Sequence, residues 1–290
     1  MSGLPSGYTQ LEYIESSGTQ YIDTGFKQNQ NSRVVVDLQL LAAPSGSYAW
    51  IYEGRDSGPS NRHGVYATKS NGRWYGGYGS STKNTGVSYD LTARLTVDFD
   101  KNVLTIGDVA TEFTEATFQS DTTTTLFGCN TAGTVANFAS CKLYSCQIYD
   151  NGALVRNFIP CKNTSGAVGL YDTVGAQFYA NAGTGTFTAG PEIIPDPPAA
   201  PTALQTVLAV VLQWAASANA DRYDVYRDGA KLGSTEGTQY VDATAEPNET
   251  YVYTVKAVNG GGESAGTSIT VYTKSGYFEY KPLIESANFP

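Results

Sequence analysis

Apolar positions along this chain recur at every second residue, and runs with the helical period are nearly absent. Leu95, Val97 and Phe99 alternate with Thr96, Asp98 and Asp100. Asp100-Lys101-Asn102 then turns the chain and Val103–Ile106 returns, which predicts a hairpin. Arg33–Leu41 (RVVVDLQLL) is strongly strand-forming, because β-branched side chains fit a pleated, half-buried surface. Ser140–Tyr149 and Leu154–Ile159 read as a second hairpin around Asp150-Asn151-Gly152. Many strands, no helices and the length of the segment predict a two-sheet jelly-roll sandwich over residues 1–190.

The pattern breaks near Gly190. Pro191, Pro195, Pro197, Pro198 and Pro201 remove the amide donors that a sheet needs, so 191–200 is expected to be an extended linker. Residues 201–273 then read as a seven-strand sandwich. Val210, Leu212 and Trp214 alternate inward, as do Tyr251, Tyr253, Val255 and Ala257. Asp228-Gly229 between Tyr223–Arg227 and Lys231–Ser234 is a two-residue hairpin signal. Tyr251, four residues after Pro247, stands where its hydroxyl can bond back to the preceding crossover, the tyrosine corner of Ig-like sandwiches. Residues 274–290 form a tail beyond the last expected strand, as an attachment segment or an extra strand. The fold class expected is all-β throughout.

Composition agrees with the pattern. The 290 residues include 31 glycines and 21 tyrosines, and charged residues make up only 16%, below the usual quarter. A net charge of −9 without a Lys/Arg cluster argues against nucleic acid, which needs a basic face to displace counterions. No stretch reaches the ~18 apolar residues of a membrane span. Residues 1–7 show neither a basic nor an apolar leader region, so synthesis without a signal peptide is expected. Cys129, Cys141, Cys146 and Cys161 match no zinc spacing. The hairpin at 150–152 brings Cys141 roughly opposite Cys161, which leaves a disulfide open, with free buried thiols the preferred reading.

Two resemblances sharpen this. Pro201, Trp214, YDVYRDG at 223–229, Tyr251 and AVNGGGES at 257–264 resemble a fibronectin type III module; Ala245 departs from the leucine usual there. LPSGYTQLEYIESSGTQYIDTG at 4–25, KLYSCQIYDNGALVRNFIPC at 142–161 and GLYDTVGAQFYANAGTGTF at 169–187 resemble a concanavalin A-like, laminin G-like domain family. That family is common in phages and surface proteins of gut bacteria, and residues 45–125 carry no motif of it. The resemblance implies a virion surface component (tail, head fibre or decoration protein), oligomeric in an assembly with other virion proteins, with a host surface glycan as ligand. A bacterial cell-surface or extracellular adhesin or carbohydrate-binding protein is the alternative.

The same jelly roll also hosts glycoside hydrolases, which need two carboxyls about 5–10 Å apart across a cleft. Glu12 and Glu15 fall on opposite faces of a strand, and Asp98 and Asp100 sit at a hairpin end, so no catalytic residue is assigned and no enzyme is expected. His63, the sole histidine, is read as lying in the polar loop 58–64. No cofactor or metal is assigned; calcium, which lectin-like jelly rolls often hold with loop carboxylates and carbonyls, stays open as an alternative, although no spaced Asp/Asn ladder supports it. The candidate ligand-binding region is the aromatic and polar concentration of Trp74, Tyr75, Tyr78, Arg55, Asp56, Asn61, Arg62 and His63. Flat rings match the apolar faces of pyranoses, and amide, carboxylate and guanidinium groups match their hydroxyl edges. Trp50 and Tyr52, two apart on a strand, are both expected in the core.

Overall fold

The computed structural model describes residues 4–274 apart from Ser6, Pro59, Val207 and Leu208. The attachment role considered for 274–290 therefore lies outside the described residues beyond Lys274. Every regular element described is a strand, and no helix is long and apolar enough to cross a membrane. Contacts divide the chain between Ile193 and Ile194 into two units.

The N-terminal unit is a sandwich of an eleven-stranded and an eight-stranded sheet. Ser32–Leu40 lies centrally in the first, between Leu95–Asp100 and Ser140–Asp150. Its Val34, Val36, Leu38 and Leu40 are all buried, and Val34 and Val36 stand opposite Phe99 and Val97. The second sheet runs Cys129–Thr131, Tyr48–Arg55, Arg62–Thr68, Arg73–Gly79, Ser81–Ser88, with Ile22–Asn29 and Gln119–Leu126 joined to the side of Tyr48–Arg55. Its inward Tyr52, Val65, Ala67, Trp74 and Leu126 meet the first sheet's valines and phenylalanines in one core.

Asn151 and Gly152 have φ of 49° and 81°, the doubly left-handed turn that matches the twist of a hairpin. The four cysteines are free and buried. Cys141 and Cys161 do not face each other. The 140–150 strand bulges at Ile148/Tyr149, and Ile14–Ser17 takes the place beside its first residues, so Cys141 stands opposite Ser16 and Leu40. Cys161 pairs instead with Gly169 and Gln10.

The C-terminal unit is an Ig-like sandwich of fibronectin type III arrangement. Thr202–Gln205, Val210–Gln213 and Gln239–Asp242 form one sheet. The other runs Ala230–Thr235, Arg222–Arg227, Thr250–Asn259, with Gly262–Glu263 and Thr267–Tyr272 also on Thr250–Asn259. Val210, Leu212, Trp214, Tyr253, Val255 and Ala257 share its core. The Tyr251 hydroxyl accepts the Glu246 amide at 3.1 Å, closing the tyrosine corner.

Candidate functional site

The outer face of the second sheet carries the site, and a bulge in Tyr48–Arg55 creates it. Trp50 pairs with Tyr66 but Tyr52 pairs with Val65, so Ile51 is the extra residue. A bulge breaks the two-residue alternation. Tyr52 consequently joins the inter-sheet core, whereas Trp50 turns outward with Tyr66, Tyr75 and Cys129. Both are buried as expected, but on opposite faces.

Outward side chains then form an aromatic tier across three strands. Trp50 and Tyr66 have centroids 4.2 Å apart, and Tyr66 stacks on Tyr75 at 5.5 Å. Tyr48, 46% exposed, meets Tyr66 edge-on at 5.4 Å. Trp50 and Tyr66 are 4% and 6% exposed, so they brace the tier while Tyr48 and Tyr75 present surface. Arg55 lies 5.8 Å over the Trp50 ring and donates to Thr131 at 3.1 Å. Asn71 donates to the Tyr75 hydroxyl at 2.9 Å.

Beside the tier lies a carboxylate that the sequence reading passed over. Glu53 is fully buried on this same outward face. Its Oε1 accepts Gln28 Nε2 at 2.8 Å, the Gly54 amide at 3.1 Å and, more weakly, the His63 amide at 3.3 Å. Burial raises its pKa, opposed by the Gln28 and His63 hydrogen bonds and by the Arg55 and Arg62 charges. The signal for it was a lone acid in the otherwise uncharged run Tyr48–Gly54.

The candidate residues separate by face. Arg55, Arg62 and Tyr75 share the outer surface. Asp56 and Asn61 meet at its edge, Asn61 donating to Asp56 at 2.7 Å. Burial pushes the Asp56 carboxyl up, but hydrogen bonds from Asn61, Thr122, the Asp121 amide and Ser120 outweigh it and hold it below its ordinary value. Trp74, Tyr78 and His63 stand instead on the inner face, in the core. Register explains this: Ala67 pairs with Trp74 and His63 with Tyr78, one alternation out of step with Tyr66 and Tyr75. His63 is in the strand Arg62–Thr68 rather than a surface loop, its ring stacked 4.3 Å from Phe99. Burial lowers its pKa to about 4.

Of the acidic residues weighed for catalysis, Asp98 is engaged in an ion pair. Arg33 grips both oxygens of Asp98, at 2.9 and 2.7 Å. Among the described residues no group of three or more His, Cys, Asp and Glu side chains converges to hold a metal ion.

No family model matches the chain. Over 102 residues it is 39% identical to a poly(3-hydroxybutyrate) depolymerase of Ralstonia pickettii, covering 33% of this chain and 19% of that protein. Over 125 residues it is 32% identical to an alpha-amylase of Niallia circulans, covering 34% of this chain and 10% of that protein. The chain thus spans less than a fifth of the length of either relative. Among solved structures, FN3tt aligns with 29% of this chain and 99% of its own at 24% identity, with a TM-score of 0.27.

Proposed function

We propose that the protein is a non-enzymatic binding protein whose N-terminal sandwich, of concanavalin A-like type, recognises glycan through the outer face of its second sheet. The observation that carries this reading is the aromatic tier. Stacked rings on three adjacent strands, flanked by guanidinium and amide groups, match the apolar faces and polar edges of a sugar chain. The fibronectin type III module serves as a spacer that holds this face away from an attachment point.

The motifs at 4–25, 142–161 and 169–187 support a place on a virion surface, among other virion proteins and facing a host glycan. A second reading, a bacterial surface or extracellular carbohydrate-binding protein, draws support from the partial likeness to polymer-degrading enzymes. Against catalysis stands the use of the carboxylates: Asp98 is held by Arg33, and Glu53 is enclosed with one oxygen already bonded three times.

Affinity electrophoresis against soluble polysaccharides tests the binding. Tyr48→Ala and Tyr75→Ala are each expected to weaken retardation about tenfold with the melting temperature nearly unchanged. Full retention of binding in both variants would remove the tier from the site. Labelling of purified phage particles with antibody to the protein decides between virion and bacterial surface.

A further inference from the structure

The turn between Arg62–Thr68 and Arg73–Gly79 carries a polar group at one end of the aromatic tier. Thr68 follows Tyr66 by two positions on the strand, so it shares the outer face, and it stands opposite Tyr48. Its hydroxyl lies 2.6 Å from Asn71 Oδ1 and 3.3 Å from the Arg73 carbonyl oxygen. Asn71 Nδ2 in turn lies 2.9 Å from the Tyr75 hydroxyl, in a bond exposed to solvent. These lengths orient the amide. A separation of 2.6 Å suits O–H···O and is short for N–H···O, whereas 2.9 Å is ordinary for N–H···O. Thr68 therefore donates to the amide oxygen, and the amide nitrogen donates to Tyr75. A phenol O–H lies in the plane of its ring, on one side of the oxygen or the other. With Asn71 on one side, the Tyr75 proton takes the other, where no side chain or carbonyl among the described residues accepts it. Asn71 is exposed and Tyr75 half-buried, so this proton is open to a ligand.

Resting on the glycan reading above, the geometry points to Asn71 as a positioning residue that holds the Tyr75 hydroxyl as an outward donor to a ring or glycosidic oxygen of a saccharide. A sugar hydroxyl could meet this phenol in either proton orientation, because it both donates and accepts. A ring or glycosidic oxygen has no proton and can meet only a donor, so it is the group that a fixed donor selects. Thr68 completes the arrangement from below. It is buried, so its own proton is committed to the amide rather than to water, and the amide is held from turning over. Tyr75 thus contributes twice: its ring extends the stack on Tyr66, and its hydroxyl sets which edge of a sugar lies against it.

The test is affinity electrophoresis of the full chain against soluble starch, β-glucan and galactomannan, with Tyr75→Phe, Asn71→Asp and the two combined. Tyr75→Phe keeps the ring and removes the hydroxyl. Asn71→Asp replaces the amide donor by an oxygen that accepts, which turns the Tyr75 proton inward and leaves a lone pair facing the ligand. Melting temperatures check that each variant folds. The wild type is expected to be retarded by at least one of the three polysaccharides, and each single variant to lose about fivefold in affinity. The combined variant is expected to lose no more than about fivefold, because Asn71 has nothing to position once the hydroxyl is gone. Losses that multiply to about 25-fold would overturn the proposal, since Asn71 would then act independently of that hydroxyl. Full retardation of Asn71→Asp, or of Tyr75→Phe while Tyr75→Ala fails, would also overturn it and leave the tier and the glycan reading standing. No retardation of the wild type by any of the three would overturn the glycan reading and this proposal with it.

Discussion

His63 carries a proton sensitivity that its sequence neighbourhood conceals. The unfolded imidazole takes a proton near 6.5, whereas burial holds the folded one to about 4. Between those values the unfolded state binds more protons, so this residue's contribution is intact above pH ~6.5 and shrinks as pH falls toward 4. The difference corresponds to about 3 kcal/mol. His63→Phe, which keeps a ring against Phe99, is expected to flatten the acid limb of a urea-derived stability profile between those pH values. An equally steep limb in the variant would place the sensitivity elsewhere. The thiols make a companion case. Burial raises all four, Cys129 to about 11 and Cys161 to about 12, and an inert thiol is a protonated one. Ellman's reagent is expected to find no reactive thiol in the native protein and all four in denaturant; prompt labelling of the native chain would contradict their enclosure. Free buried thiols were the preferred reading of the sequence, with a Cys141–Cys161 disulfide left open, and the structure has all four free. The place of His63 was not legible, because Ser60, Asn61 and Arg62 read as loop and only its pairing with Tyr78 draws it inside.

At the scale of the element, the strand Tyr48–Arg55 shows what periodicity conveys and where it stops. Its existence follows from composition, but the bulge at Ile51 does not, and that bulge separates Trp50 from Tyr52 and sends Glu53 outward. Its bulged register also decides what Gly54 meets. A Cβ there would lie 2.5 Å from the Thr123 carbonyl oxygen, in the neighbouring strand's backbone, which cannot yield as a side-chain tip can. Gly54→Ala is expected to cost about 1–3 kcal/mol or more in urea unfolding. Gly46→Ala, with nothing within 4 Å of the added carbon, serves as the control and should stay within about 0.5 kcal/mol. Equal midpoints for the two variants would mean that the strands approach less closely than described.

For the whole molecule, the relevant fact is that each unit has a core of its own. In the C-terminal unit the core closes over a polar knot: Asp242 accepts the Tyr253 hydroxyl at 2.7 Å and Arg227 at 2.8 Å. A chain of residues 194–274 alone is expected to unfold cooperatively, and Tyr253→Phe to destabilise it by about 1–3 kcal/mol, since one carboxylate bond is lost inside a desolvated network. A broad, non-cooperative transition for the unmutated piece would show that its core is insufficient by itself. Strand content, the doubly left-handed turn at 151–152, the Asp228-Gly229 hairpin and the tyrosine corner all belong to the sequence alone, because each depends on residues a few positions apart. The site belongs to the tertiary structure. Which face Trp50, Tyr75 and Glu53 occupy depends on register between strands and on one inserted residue. A single-residue slip carries every side chain beyond it to the other face of the sheet, and no local pattern in this chain records which way it went.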